Sequence, residues 1–167
     1  MKNLTKLMAV LFALSLLAPL AFATSTAGPV DGTAKAKIVA PLVLSHAQGD
    51  ALDFGTLVSP SAQATVVIPA AASPTPTDTN VERIAADPVS ADHFTVTNPE
   101  SVGYTINLPA SATITDGTHN MTVNTFTHSC SASPCTATEF YVGGKLTIGQ
   151  GQDAGEYEGT YPVSLTY

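Results

Sequence analysis

The end of the chain shows the clearest alternation of apolar and polar positions. Between Gly155 and Tyr167, aromatic and aliphatic residues fall on one parity, and carboxylate and hydroxyl residues fall on the other. Successive side chains of a β-strand point to opposite faces, so the pattern predicts a strand with one buried face and one solvated face. The predicted buried face consists of Tyr157, Tyr161, Val163, Leu165 and Tyr167. A strand of this kind needs a second layer to cover its apolar side chains.

Shorter alternating runs follow one another through the rest of the chain, separated by turn residues. They predict strands over 34–40, 42–44, 52–57, 64–68, 81–85, 92–97, 104–108, 112–115, 121–127 and 140–148. Pro41 interrupts the first pattern, and the Gly143-Gly144 pair suggests a bulge in the last. The proline-rich stretch 69–78 is predicted to be an exposed, mobile loop. Many short strands at regular spacing predict a single antiparallel β-sandwich of the immunoglobulin-like, pilin-like kind.

The beginning of the chain has the features of a secretory signal peptide. Lys2 and Lys6 precede an apolar run over 7–17 that is too short to span a bilayer, and the small-residue site at 21–23 follows. We expect 1–23 to be removed and 24–167 to form one domain in the periplasm, at the cell surface or outside the cell. No membrane span is expected after cleavage. The remaining chain has four basic and thirteen acidic residues, which argues against nucleic acid as a partner.

Two cysteines stand close together, Cys130 and Cys135. In an exported protein such a pair predicts one disulfide, here expected at the tip of a hairpin. A zinc site made from these cysteines with His119 and His128 is the alternative. It is less favoured, because exported thiols oxidise and the spacing matches no zinc template.

Catalytic chemistry finds little support in the sequence. The four histidines, His46, His93, His119 and His128, lie in no metalloprotease pattern, and no nucleophile-elbow or phosphate-binding motif is present. We expect each histidine to be solvated or locally hydrogen-bonded, and we expect no enzyme activity, no cofactor and no bound metal. The hydroxyl-rich surface could bind a glycan, but the same residues also keep a β-sandwich soluble, and we favour this second interpretation.

Three stretches resemble the bacterial secreted family DUF4402, a domain of unknown function. They are 36–55, with its Pro-Leu and Leu-x-Phe-Gly; 94–109, with Phe-Thr-Val-Thr and Tyr-x-Ile-x-Leu-Pro; and 142–167, with its closing alternation. The closing strand is also similar to the last strand of chaperone–usher pilins and spore-coat U type subunits. That similarity implies strand donation between copies of the protein or related subunits, and capture by a periplasmic chaperone.

These observations predict an exported, non-enzymatic structural or surface protein, such as a fimbria-like subunit. The alternative is a self-complete periplasmic or extracellular module that binds a glycan or a protein. The beginning of the predicted domain supports strand donation only weakly. The apolar positions Ala34, Ala36 and Ile38 could form a donor strand, but the domain would then lose its own predicted first strand.

Overall fold

The structure, a computed structural model, describes residues 27–84, 86–98 and 100–167. The predicted signal peptide, 1–23, lies outside these residues. The chain divides into two units, one that ends at Lys37 and one that spans Ile38–Tyr167. In the first unit, the described residues 27–37 are all exposed and belong to no helix or strand. No helix long and apolar enough to cross a membrane occurs among the described residues.

The described residues of the second unit form nine β-strands, and each pairing between them is antiparallel. The strands are β1 (Val43–His46), β2 (Ala64–Ile68), β3 (Thr77–Thr79), β4 (Asp92–Thr97), β5 (Thr105–Asn107), β6 (Ser111–Thr115), β7 (Asn120–His128), β8 (Glu139–Ile148) and β9 (Ser164–Thr166). Seven strands form one sheet, while β5 and β9 form a second, two-stranded sheet. The predicted all-β, antiparallel fold class is therefore confirmed.

The large sheet is organised around β8. Val142 pairs with Asp92 of β4 and with His128 of β7, so these two strands lie on opposite edges of β8. Leu146 in the same way pairs with β2 on one side and β7 on the other. It follows that β7 occupies one edge of β8, whereas β4 and β2 share the other edge, one after the other.

The predicted bulge lies in β7 rather than at the glycines of β8. The register between the two strands shifts by one residue between Asn124 and Thr127. Thr125, within this step, has a φ of 52°, a left-handed conformation that a β-branched residue rarely adopts. Gly143 lies at the position on β8 where the pairing passes from β4 to β2, and the backbone of Ile68, Pro69 and Ala70 packs directly against it.

Alternate residues of β8 form the floor of the core. Phe140, Val142, Leu146 and Ile148 are buried, as the alternation predicts. The two-stranded sheet covers the first half of this floor with Ile106 and Leu165. Residues of the connecting segments, including Leu52, Phe54, Val81 and Val89, cover the second half. The domain thus has two layers, but only part of the second layer is a regular sheet.

Several predicted strands are absent or shorter. Residues 34–40 form no strand; alanines bury little apolar area, so this run gains little from pairing. Segments 52–57 and 81–84 are held by isolated bridges, Asp53 to Ser90 and Leu57 to Arg83. The predicted loop over 69–78 is also partly wrong, because β3 begins at Thr77 and pairs with the edge of β2.

The closing segment keeps its alternation but is shallower than predicted. Only Ser164–Thr166 forms a strand, because Pro162 lacks the N–H group that would extend the pairing towards the N-terminus. Before Pro162, Glu158 forms an isolated bridge with Thr115 of β6. The predicted inward residues Tyr157, Tyr161, Val163 and Leu165 are half-buried. The prediction that Tyr167 is buried is wrong. Tyr167 is 57% exposed, and its hydroxyl donates a hydrogen bond of 2.8 Å to the Ala40 carbonyl.

Candidate functional site

Asp92 is the buried charged residue of the described part of the chain, with 4% of its surface exposed. It lies on the core-facing parity of β4, beside Phe94 and Val96, which explains its burial. A buried carboxylate requires hydrogen-bond partners. Asp92 has two: its Oδ1 lies 2.6 Å from Nε2 of His46, and its Oδ2 accepts a hydrogen bond of 2.5 Å from the hydroxyl of Tyr161.

Aromatic contacts hold both partners of Asp92 in place. The Tyr161 ring stacks on Phe126 with a centroid separation of 4.8 Å, and the His46 ring lies 4.8 Å from Phe94. Burial raises the pKa of the Tyr161 phenol, and the hydrogen bond to Asp92 and its negative charge raise it further. The phenol therefore keeps its proton and donates a hydrogen bond to the carboxylate.

This cluster joins three parts of the chain that are distant in sequence. His46 belongs to β1, Asp92 to β4, and Tyr161 to the segment before β9. Both oxygens of Asp92 are occupied by groups of the domain itself, so the arrangement serves as a polar clasp between the two layers. Sequence reasoning treated His46 as solvated or locally bonded and overlooked Asp92, although its parity with Phe94 and Val96 was visible.

His93 and His119 contact carboxylates near the surface. His93 lies 3.4 Å from Asp50 and 3.3 Å from Glu139, and its ring stacks on Tyr141. His119 lies 3.0 Å from Asp116 in the β6–β7 turn, and this is the local hydrogen bond that was expected. It also lies 3.1 Å from Asp153.

Charge and hydrogen bonding shift two pKa values in that turn. Backbone and side-chain hydrogen bonds from His119, together with the backbone N–H of Thr118, hold the pKa of Asp116 well below its usual range. The bond to Asp116 raises the pKa of His119. Within 27–84, 86–98 and 100–167, no group of three or more histidine, cysteine or acidic residues is placed to hold a metal.

The two cysteines are joined, with their sulfur atoms 2.05 Å apart, so they offer no thiolate for the zinc alternative. They lie in the 129–138 connection between the paired strands β7 and β8, at the end of a hairpin as expected. Cys135 is buried in the core and its backbone pairs with Tyr104, which precedes β5. The Tyr104 hydroxyl also donates a hydrogen bond of 2.6 Å to the Ala137 carbonyl. The disulfide loop is therefore anchored on the core under the small sheet.

Comparison with known proteins identifies the family. The model of DUF4402, a domain of unknown function, matches residues 44–167. The chain belongs to the DUF4402 family. The DUF4402 match begins within β1 and runs to the last residue, so it includes β2 to β9 and leaves 27–43 in front of it. No curated protein and no solved structure matches this DUF4402 chain.

The clasp makes stability sensitive to alkaline pH. The folded chain retains the Tyr161 proton above the ordinary tyrosine pKa of about 10, whereas the unfolded chain releases it. The stabilisation is therefore complete below about pH 10 and is lost as the pH rises above that value. We expect the urea midpoint of the native protein to change little up to about pH 10 and to fall steeply as the pH rises from there to about pH 12.

Tyr161→Phe is the matched variant, because it removes the titrating hydroxyl and keeps the ring. Its urea midpoint should fall less over the same pH range. A smaller fall should remain, because burial also raises the pKa of Tyr104. Equal falls in the native protein and the variant would show that Tyr161 is not the titrating group.

Proposed function

We propose that this DUF4402 protein is an exported, non-enzymatic structural or surface subunit that assembles in a fimbria-like manner, by donating residues 30–38 to a second copy. The observation that carries the proposal is the state of this segment. The domain uses none of it as a strand, since β1 begins at Val43. The objection raised by the sequence, that a donor segment would cost the domain its own first strand, therefore does not hold for this fold.

The segment has the side-chain pattern that strand addition requires. Val30, Ala34, Ala36 and Ile38 fall on one parity, with Gly32 completing the alternation. Val30 and Ile38 are 93% and 94% exposed. In strand addition, main-chain hydrogen bonds supply affinity and alternate side chains fill pockets of the acceptor. Apolar side chains as exposed as these would gain from burial in an acceptor groove.

The small sheet offers an acceptor edge. Among the described residues, β9 pairs with β5 alone, which leaves the other edge of β9 unpaired. Tyr161, Val163 and Leu165 along this segment are only half-buried, although they pack on the core. An added strand would extend the sheet and cover these side chains. It would also complete the second layer, where the regular part now consists of two three-residue strands.

Charge favours the same pairing. Residues 27–37 contain Lys35 and Lys37 against Asp31, so the segment has a net positive charge. Residues 38–167 contain twelve acidic residues against Arg83 and Lys145. Opposite net charges steer association between a donor segment and an acceptor domain, and the effect weakens with salt.

The test compares two substitutions that introduce the same charge into the segment. Ile38→Asp changes an inward position of the proposed donor, while Thr33→Asp changes a position of the opposite parity. We expect the exported protein and Thr33→Asp to form oligomers in size-exclusion chromatography with light scattering. Ile38→Asp should be monomeric and should still unfold cooperatively, because Ile38 is exposed within its own chain. Its melting temperature should fall only by the stabilisation that assembly contributes.

A native protein that stays monomeric at high concentration and refolds reversibly would overturn this proposal. That outcome would favour the second candidate, a self-complete periplasmic or extracellular binding module. The observation favouring the second candidate is the core of the domain, in which Phe140, Val142, Leu146 and Ile148 are already buried without any donated strand.

A further inference from the structure

Threonines from five different strands form one row across the large sheet. Thr113 of β6 pairs with Thr122 of β7, which pairs with Thr147 of β8. Thr147 pairs in turn with Thr65 of β2, and Thr65 pairs with Thr79 of β3. We call these five residues the threonine row. With neighbouring strands about 4.8 Å apart, the row is about 19 Å long.

The threonine row lies on the solvent face of the sheet. Its neighbours along the strands, Val66, Val123 and Leu146, point to the opposite face and are buried in the core. Thr79, Thr113 and Thr122 are exposed, while Thr65 and Thr147 on the central strands are half-exposed. None of the five hydroxyls has a hydrogen-bond partner among the described residues. Five hydroxyls that can each donate and accept are therefore available to a ligand.

A cleft adjoins the row on the same face. It has a volume of about 430 Å³ and lies where β2 ends beside the glycines of β8. Its walls include Val67 and Lys145, which pair with each other. They lie two residues along their strands from Thr65 and Thr147, and therefore on the same face of the sheet. Thr125 and Thr127, at the β7 bulge, line it from the other side. The bulge shifts the register of β7 at this position, so it shapes the wall of the cleft.

The chemistry of this surface fits an uncharged, polyhydroxylated chain. Its side chains are hydroxyls, methyl groups, the Asn124 amide, the His128 imidazole and the Lys145 ammonium group. The polar groups can hydrogen-bond sugar hydroxyls, and the methyl groups can contact sugar C–H groups. A polyanion would meet a domain with twelve acidic residues and two basic ones. The next row across the sheet is Ser111, Asn124, Lys145, Val67 and Thr77. Since the threonines form one line and not a two-dimensional grid, a linear polysaccharide matches them better than the flat surface of an ice crystal does.

We propose that the threonine row and the adjoining cleft form a binding surface for a neutral polysaccharide chain, which runs across the strands and enters the cleft beside Lys145. This surface is independent of strand donation, because it lies on the solvent face of the large sheet, whereas the proposed acceptor edge belongs to β9. A monomeric protein would retain it.

The test uses affinity electrophoresis of the exported protein in native gels that contain hydroxyethylcellulose, xylan or soluble starch as probes. Thr122→Val with Thr147→Val removes two central hydroxyls and keeps the β-branched shape, which suits a strand. The control is Thr95→Val with Thr97→Val, the same change on the same face of β4 but outside the row. We expect at least one probe to retard the native protein and the control equally, and the row variant to bind about tenfold more weakly.

Three results would overturn the proposal. They are no retardation by any of the three probes, equal retardation of the row variant and the native protein, or equal weakening of both double variants. Adsorption of the native protein to ice without retardation by the probes would also overturn it, in favour of a crystal-face ligand. Where thermal unfolding shows that the row variant is misfolded, Thr79→Val with Thr113→Val on the edge strands replaces it, with the same expected loss.

Discussion

Gly143→Ala is expected to lower the melting temperature by about 10 °C or more, or to prevent soluble expression, whereas Gly144→Ala should fold normally. A Cβ atom on Gly143 would collide with the Ile68 carbonyl oxygen and would lie 2.6 Å from the Ala70 nitrogen and 2.7 Å from the Pro69 carbonyl carbon. These are backbone atoms at the end of β2, which cannot move without disrupting its pairing with β8. The cost should exceed about 3 kcal/mol.

Gly144 provides the control because it is adjacent in sequence and meets only side chains. Its Cβ would lie 3.2 Å from a Leu52 methyl carbon, 3.3 Å from Val123 and 3.4 Å from Phe126, and these groups can shift slightly. Replacing glycine in a strand also reduces the entropy of the unfolded chain, which offsets part of the cost. Differential scanning fluorimetry of both variants checks the prediction. A Gly143→Ala protein as stable as Gly144→Ala would show that β2 does not approach β8 this closely.

Tyr161→Ala is expected to destabilise the domain by about 3 kcal/mol, which is a large part of a total stability of about 5–15 kcal/mol. The substitution removes the ring that stacks on Phe126 and the hydroxyl that donates to Asp92. The remaining carboxylate is buried, so the loss of one partner carries a desolvation cost. Tyr161→Phe, which keeps the ring, should cost only about 1 kcal/mol to 2 kcal/mol.

Thr160→Ala is the matched control for the alanine substitution. Thr160 is exposed and precedes Tyr161 on the opposite parity, so its loss should cost less than about 1 kcal/mol. Urea denaturation of all three variants at neutral pH measures the differences. Similar losses for Tyr161→Ala and Thr160→Ala would contradict the placement of the clasp.

The two proposals assign different surfaces to different tasks. Strand donation would use 30–38 and the free edge of β9, in the small sheet. Polysaccharide binding would use the solvent face of the large sheet. Thr122 and Thr147 of the threonine row lie on strands that take no part in the proposed assembly. An assembled subunit would therefore still display the threonine row, and a surface fibre made of such subunits would present many copies of it. Multiple weak sites in one fibre raise the overall affinity for a long polymer.

The sequence alone determined the antiparallel β class and the central strands. The predicted strands 64–68 and 92–97 coincide with β2 and β4, because alternation is strong where one face must be buried and a one-residue slip would expose it. The pattern was misleading over 34–40, where alanines supply alternation without much apolar area. It also overestimated the closing strand, since alternation records which side a residue faces and not how fully a second layer covers it.

Only the tertiary structure decided which residues meet. The partners of Asp92 come from 46 positions before it and 69 positions after it, distances at which no local pattern operates. The threonine row likewise depends on four separate registers, each fixed by the packing of core residues on the opposite face of the sheet. Each threonine could be predicted to face solvent from its own strand. Their alignment into one row follows from how the buried faces of five strands pack together.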